Sequence, residues 1–288
     1  MQRRIITNQD ATRIIRLSPE EFLFSRTVLG EEYTIYCGEA QLIGAIGRAC
    51  TDHPVGVYFL TGHGELTQED CSLLELQLRS NGFEVHSGEI ARIAPAATDI
   101  LLLLAPRSDL TGDEAQTLAA FLDNGGRILL PRASALITPA LRPGVTVTTL
   151  LTTSDRAVLH LDASGNALDS QTGDVSGQFL LGAMAKKSSG TALCLLASSD
   201  MLRDSAAISG ASVLDASDNL ALLTDLVTDM ADIDQTASLD AGVKRLPAQR
   251  ITFDSESSRQ RVTILALTLI PGVLLLTMAV VLLKRRRL

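Results

Sequence analysis

From Val55 onward the chain switches repeatedly between two patterns. Short apolar runs occur in Val55 to Leu60 (VGVYFL), Ile100 to Leu104 (ILLLL), Arg127 to Leu130 (RILL, apolar after its arginine) and Thr191 to Ala197 (TALCLLA), and Phe83-Glu84-Val85 reads as a further short strand. Between them lie stretches whose apolar residues recur three and four apart. About Thr67 to Ser80 carries Leu73, Leu74, Leu76 and Leu78, Asp113 to Leu122 follows, and Asn219 to Met230 carries Leu222, Leu223, Leu226 and Val227. The first pattern predicts strands buried on both faces, the second predicts helices that cover them. Asn81-Gly82 and Asn124-Gly125-Gly126 close two of the helices, because these residues accept the left-handed backbone of a C-cap. The fold class expected is α/β, an open and mostly parallel sheet with flanking helices. The order of its strands is not legible from the pattern.

The flanks are less regular. Gln2 to Ile6 and Ala11 to Leu17 read as short strands around an Asn8-Gln9-Asp10 turn, and Glu31 to Tyr36 as another strand. Glu39 to Ala49 reads as a helix with Leu42, Ile43, Ile46 and Ala49 on one face, stopped at Asp52-His53-Pro54. Residues 139–190 suggest short strands and loops, including Val145 to Leu151 and Ala157 to Leu161. Residues 231–260 are rich in Asp, Ser and Gln and read as an extended stalk.

The end of the chain changes this picture. Val262 to Leu283 holds 22 residues with no charge and runs directly into Lys284-Arg285-Arg286-Arg287. Such a run makes about 33 Å of helix, enough for a hydrocarbon core of about 30 Å. A C-terminal transmembrane helix is therefore expected, with membrane lipid around it. The cationic end belongs in the cytoplasm and the main domain is extracytoplasmic. The expected layout is N-terminal strands over 1–36 (a remnant of an upstream domain), the α/β domain over 37–235, a stalk over 236–260, the span over 261–284 and a tail over 285–288. Met1 to Arg26 has no continuous apolar stretch of the signal-peptide kind. Export would then rest on the C-terminal span, or on the chain being one piece of a longer or split protein.

Charge and composition exclude some functions. The net charge is −8, and residues 150–240 hold 13 Asp and no Glu against Arg156, Lys186, Lys187 and Arg203. That surface repels nucleic acid, and with 3% aromatics and no Trp the chain lacks a stacking platform. Cys37, Cys50, Cys71 and Cys194 form no CxxC and read as thiols, with Cys71 and Cys194 in buried elements.

Chemistry concentrates at Thr61-Gly62-His63-Gly64-Glu65, just past the end of a predicted strand, where open α/β sheets place their sites. His63 and Glu65 are a candidate acid/base pair or two ligands of a metal. In the structural alternative, Gly62 and Gly64 make a tight strand-to-helix turn and Glu65 favours the positive end of the coming helix. No phosphate loop, dinucleotide fingerprint, GxSxG elbow or HExxH occurs, so no catalytic residue, cofactor or metal is assigned. The Asp-rich segment after 198 lacks the Gly and terminal Glu of a calcium loop and reads as a solvated face.

The blocks GEAQLIGAI (38–46), VGVYFLTGHGE (55–65), LELQLRSNGFEV (74–85) and LLLLAPRSDLTGDEAQTLAAFLDNGGRILL (101–130) together resemble the gliding-motility-associated, GldG-like ABC transporter auxiliary proteins. A later box, SSDML at 198–202, followed by Asn219, adds Asp200 and Asn219 to the likeness, although the first residue of the box departs from the family's pattern. The resemblance covers roughly 31–288 and implies a flavodoxin-like or class I glutamine amidotransferase-like layer. It also implies a non-enzymatic accessory component, with an ABC permease and an ATPase subunit as partners. Family members carry an N-terminal span and a longer preceding region, so by this likeness the chain is shortened or split. The family brings no catalytic residue. Thr61, Gly62, His63, Gly64, Glu65, Asp200 and Asn219 are thus candidates for ligand or partner contact, with the ligand unknown. The alternatives are an anchored hydrolase or carbohydrate-active protein using His63 and Glu65, and a cell-surface sensor or scaffold.

Overall fold

In the computed structural model two antiparallel pairs precede the main sheet, β1 (Arg4–Thr7) with β2 (Ile14–Leu17), and β3 (Leu23–Val28) with β4 (Glu31–Tyr36). The structure describes residues 4–7, 12–28, 31–131, 136, 143–160, 173–204, 207–208, 211–213, 218–232 and 244–245. These belong to one compact unit, Met1–Leu246. The chain then runs through α1 (Gly38–Cys50), β5 (Gly56–Thr61), α2 (Ser72–Ser80), β6 (Glu84–Glu89), β7 (Ile100–Leu102), α3 (Gly112–Asp123) and β8 (Arg127–Pro131). It continues with β9 (Val145–Thr152), the small pair β10 (Val158–Leu159) and β11 (Val175–Ser176), then β12 (Leu180–Lys187), β13 (Ala192–Leu196) and α4 (Asn219–Met230). Within the segment expected as a stalk, Lys244–Arg245 pairs with β4.

Seven strands form the sheet in the order β6-β5-β7-β8-β13-β12-β9. The first five are mutually parallel, and β12 runs antiparallel to both β13 and β9. The α/β expectation holds in this form, a mixed and mostly parallel sheet. The apolar runs have the cause expected of them, burial on both faces. Val57, Phe59, Ile100, Leu102, Leu129 and Cys194 share one core with leucines of α2 and α4. Leu60, Leu101, Leu103 and Ile128 share the opposite core with Leu118 of α3. Each fully buried leucine contributes about 2 kcal/mol. Helix α2 begins later than the pattern suggests, at Ser72, because the Asp70 carboxylate accepts from the N–H and hydroxyl of Thr67 and holds Thr67 to Cys71 in a turn.

Of the face its apolar pattern marks, helix α1 buries only Ala49 fully. Its buried residues include Ala40, Gln41, Gly44, Ala45, Arg48 and Ala49, whereas Leu42 and Ile46 are 36% and 46% exposed. Close approach explains the choice. A Cβ on Gly44 would lie 2.2 Å from the Arg79 carbonyl oxygen and 2.6 Å from that of Ser80. Only the small-residue face of α1 admits the C-terminal end of α2 at that separation.

The expected transmembrane architecture is corrected. No helix among the described residues is long and apolar enough to cross a membrane. The longest, α1, has 13 residues, about 20 Å of rise against a hydrocarbon core of about 30 Å. The expected span over 261–284 and the tail over 285–288 lie outside the described residues. The single-pass location, with a cytoplasmic C-terminus and an extracytoplasmic main domain, rested on that span. It is set aside with it, and so is the membrane anchoring of the expected function.

Candidate functional site

Strand β5 ends at Thr61, and the next four residues turn the chain through two left-handed glycines, Gly62 at φ 126° and Gly64 at φ 73°. Parallel neighbours bring their following loops together, so this turn meets the loop after β7. Arg107 N and Ser108 N both donate to the His63 carbonyl oxygen, at 2.8 and 3.2 Å. Leu66 N donates to Leu104 O at 2.9 Å. Ala105, in the same loop, takes φ 52°, a conformation a non-glycine residue adopts only where its surroundings impose it. The Arg107 side chain lies against Gly64, where a Cβ would come within 3.3 Å of it.

The His63 imidazole is held on both nitrogens. Nδ1 lies 3.2 Å from Ser108 Oγ, and Nε2 lies 3.1 Å from Glu114 Oε1. Glu114 is itself fixed by a capping box at the start of α3. Thr111 Oγ accepts from Glu114 N, and the Glu114 Oε2 atom accepts from Thr111 N and Oγ at 2.9 and 2.6 Å. These bonds, with the Thr111 hydroxyl contributing most, hold the Glu114 carboxyl down at about 2. The hydrogen bond to Glu114 raises the His63 pKa, with the Glu114 and Glu65 charges acting in the same direction against partial desolvation.

Glu65 does not pair with the imidazole ring. Its Oε2 accepts from the His63 backbone N–H at 2.7 Å, closing the turn, and the residue is 8% exposed. Its Oε1 is buried with no hydrogen-bond partner among the described residues. Thr61 is half-buried at the end of β5, opposite Glu89 of β6.

Asp200 and Asn219 stand apart from the turn. Asp200 follows β13, three strands from β5 and about 14 Å away by strand spacing. Its N–H donates to Ser198 Oγ. Asn219 Nδ2 donates to Val213 O at 2.8 Å, at the start of α4. The residue of this segment that does come back toward the TGHGE side is Asp204. Its carboxylate accepts from the N–H groups of Ser72 and Leu73 and from the Ser72 hydroxyl, and its own N–H donates to Asp70 O. Asp204 thereby caps α2 from the far side of the sheet order.

Ser108, Glu114 and Arg107 therefore join the neighbourhood of His63, with the Asp109 backbone beside them, and no sequence pattern singled them out. One signal was available, since Thr111 and Glu114 have the spacing of a capping box, which fixes where that carboxylate sits. Among the described residues no group of three or more His, Cys, Asp or Glu side chains converges so as to hold a metal ion. Two cavities, of about 680 and 400 Å³, are lined by α1, α2 and the N-terminal strands or by the start of β5 and β6, and neither is lined by TGHGE.

Comparison with known proteins adds three findings. No curated protein matches the chain. Among solved structures, the mmIFT52 N-terminal domain is similar at 16% identity with a TM-score of 0.40, over 61% of this chain and 97% of that one. A family model described as Domain of unknown function (DUF4350) matches residues 71–253, which begins just after TGHGE and takes in Ser108, Glu114 and Asp204. That match spans more than half of the sequence, and the chain belongs to the DUF4350 family.

Proposed function

We propose that this chain is a non-enzymatic accessory component of an ABC-type transport system, of the GldG-like kind, whose strand-end face around TGHGE contacts a ligand or a neighbouring subunit. One observation carries the non-enzymatic part. The two backbone N–H groups beside Ser108, those of Arg107 and Ser108 itself, are both spent on the His63 carbonyl oxygen. An acyl-transfer site built on Ser108 would need such donors free for a developing oxyanion. Glu114, the acid in line with His63, is likewise committed to the cap of α3. The constellation works as a latch between two loops, and it presents Gly62, Gly64, Arg107 and Ser108 to solvent on one rigid surface. The transport assignment draws on the ordered sequence blocks that resemble the GldG-like proteins.

The competing reading is a hydrolase, favoured by the Ser108, His63 and Glu114 alignment itself. In that reading Glu65 is no longer the acid, because its carboxylate closes the turn through the backbone. The test is capture of the tagged chain from its own cells, followed by mass spectrometry. Enrichment of ABC ATPase and permease subunits is expected. Recovery of the chain without them, together with an esterase activity that Ser108→Ala abolishes, would replace the accessory role by the hydrolase.

A further inference from the structure

A cavity of about 680 Å³ opens between β2, α1, α2 and the start of β6, away from TGHGE. That volume is within the range of small-molecule sites. Its walls are of two kinds. Ile15, Leu17, Leu76 and Val85 give an apolar side. Arg48 of α1 gives a charged one, although the residue is only 7% exposed.

Arg48 is incompletely used by the protein. Its Nη1 donates to Arg79 O at the end of α2. A guanidinium carries five N–H donors, and no other acceptor among the described residues takes one from Arg48. The acidic groups on the same walls are already engaged. Glu75 pairs with Arg79 at 2.9 Å, Glu84 with Arg13 at 3.0 Å, and Glu21 Oε1 accepts from Ser18 N. Burial lowers the Arg48 pKa and the neighbouring Arg79 lowers it further, against the opposing charges of Glu84 and Glu21. An anion seated beside Arg48 would relieve both effects and take the donors that the Arg79 carbonyl leaves open.

We infer that this cavity binds a small organic carboxylate, with the carboxylate on the open Arg48 donors and the hydrocarbon body on Leu17, Leu76 and Val85. A fully solvated anion such as phosphate would leave the apolar wall unused and bring extra charge toward Glu75 and Glu84. The site is separate from TGHGE and does not rest on the transport reading.

The test is calorimetric titration of the full chain with hexanoate, hexanol and inorganic phosphate. Hexanoate is expected to bind one to one with a Kd on the order of 0.1–1 mM, as suits a ligand of this size. Hexanol and phosphate are expected to bind at least about tenfold more weakly. Arg48→Gln should weaken hexanoate about tenfold or more. Because Arg48 also holds the end of α2, a second variant is needed. Ile14, 55% exposed on the rim, can become Glu without touching the core. Ile14→Glu should weaken hexanoate about threefold or more by charge repulsion while leaving the melting temperature unchanged. Absence of hexanoate binding up to about 10 mM, equal binding of hexanol, or unchanged affinity in Ile14→Glu would each overturn the inference.

Discussion

His63 Nε2 stands 3.1 Å from Glu114 Oε1, joining the turn after β5 to the first turn of α3. The two groups shift each other in opposite directions, so their contribution to stability has two edges. The His63 pKa is raised above its ordinary 6.5, so its stabilisation is complete below 6.5 and is lost as pH rises through the folded value. The Glu114 pKa is depressed from 4.5 to about 2, so its stabilisation is complete above 4.5 and is lost as pH falls through about 2. The pair should therefore stabilise most between 4.5 and 6.5. An NMR titration should find His63 above 6.5, and Glu114→Gln should return it toward that value. A His63 titration unchanged in Glu114→Gln would contradict the contact.

Gly44 and Gly47 lie on the same helix with opposite surroundings. A Cβ at Gly44 meets two backbone carbonyl oxygens of α2, while one at Gly47 meets nothing within 4 Å. Gly44→Ala should destabilise by about 2 kcal/mol or more, and Gly47→Ala should stabilise by about 0.5–1 kcal/mol. Urea denaturation of the two variants checks the pair, and a mild effect at Gly44 would mean that α1 is not seated on α2 as described.

How much of this was legible depended on which physical signal dominated locally. Burial on both faces wrote the central strands plainly into the sequence, since Val57, Phe59, Ile100 and Leu102 fill one core while Leu60, Leu101 and Leu103 fill the other, leaving no polar face to interrupt the run. Sequence alternation could not reveal that α1 turns Leu42 and Ile46 outward, because the deciding contact is steric and comes from the Arg79 and Ser80 carbonyls 35 or so residues away. At the site, TGHGE was conspicuous through its glycines and its position after a strand. Ser108 and Glu114 were not, because their nearness to His63 depends on β7 lying next to β5, an order no periodicity encodes. Asp200 was singled out by its box, yet the capping carboxylate of that segment is Asp204.

Asp204 ties the segment after β13 to the start of α2, accepting from the N–H groups of both Ser72 and Leu73. Asp204→Ala removes the acceptor of two helix N-terminal donors and should cost about 1–2 kcal/mol. The decisive accompaniment is faster amide exchange at Ser72 and Leu73, read by hydrogen exchange. Unchanged protection there would show that other groups satisfy the α2 N-terminus.

The four cysteines are unpaired, and only Cys50 is exposed. Burial pushes the Cys71 and Cys194 thiols up to about 12, which leaves almost no thiolate at pH values near 8. Brief iodoacetamide treatment of the native chain should therefore label Cys50 and spare Cys71 and Cys194, as read by peptide mass spectrometry. Rapid labelling of Cys194 would mean that β13 is not a central strand.

Arg107 lies exposed against Gly64 on the surface proposed for partner contact, and its side chain makes no bond in the latch that holds His63. Capture of ABC ATPase and permease subunits by the tagged chain, wild type against Arg107→Glu, is the most direct measurement of the account. Capture by the wild type is expected, with a loss of about tenfold or more in the variant at an unchanged melting temperature. Equal capture by both would remove the TGHGE face from the interface, and no capture by the wild type would contradict the accessory role itself.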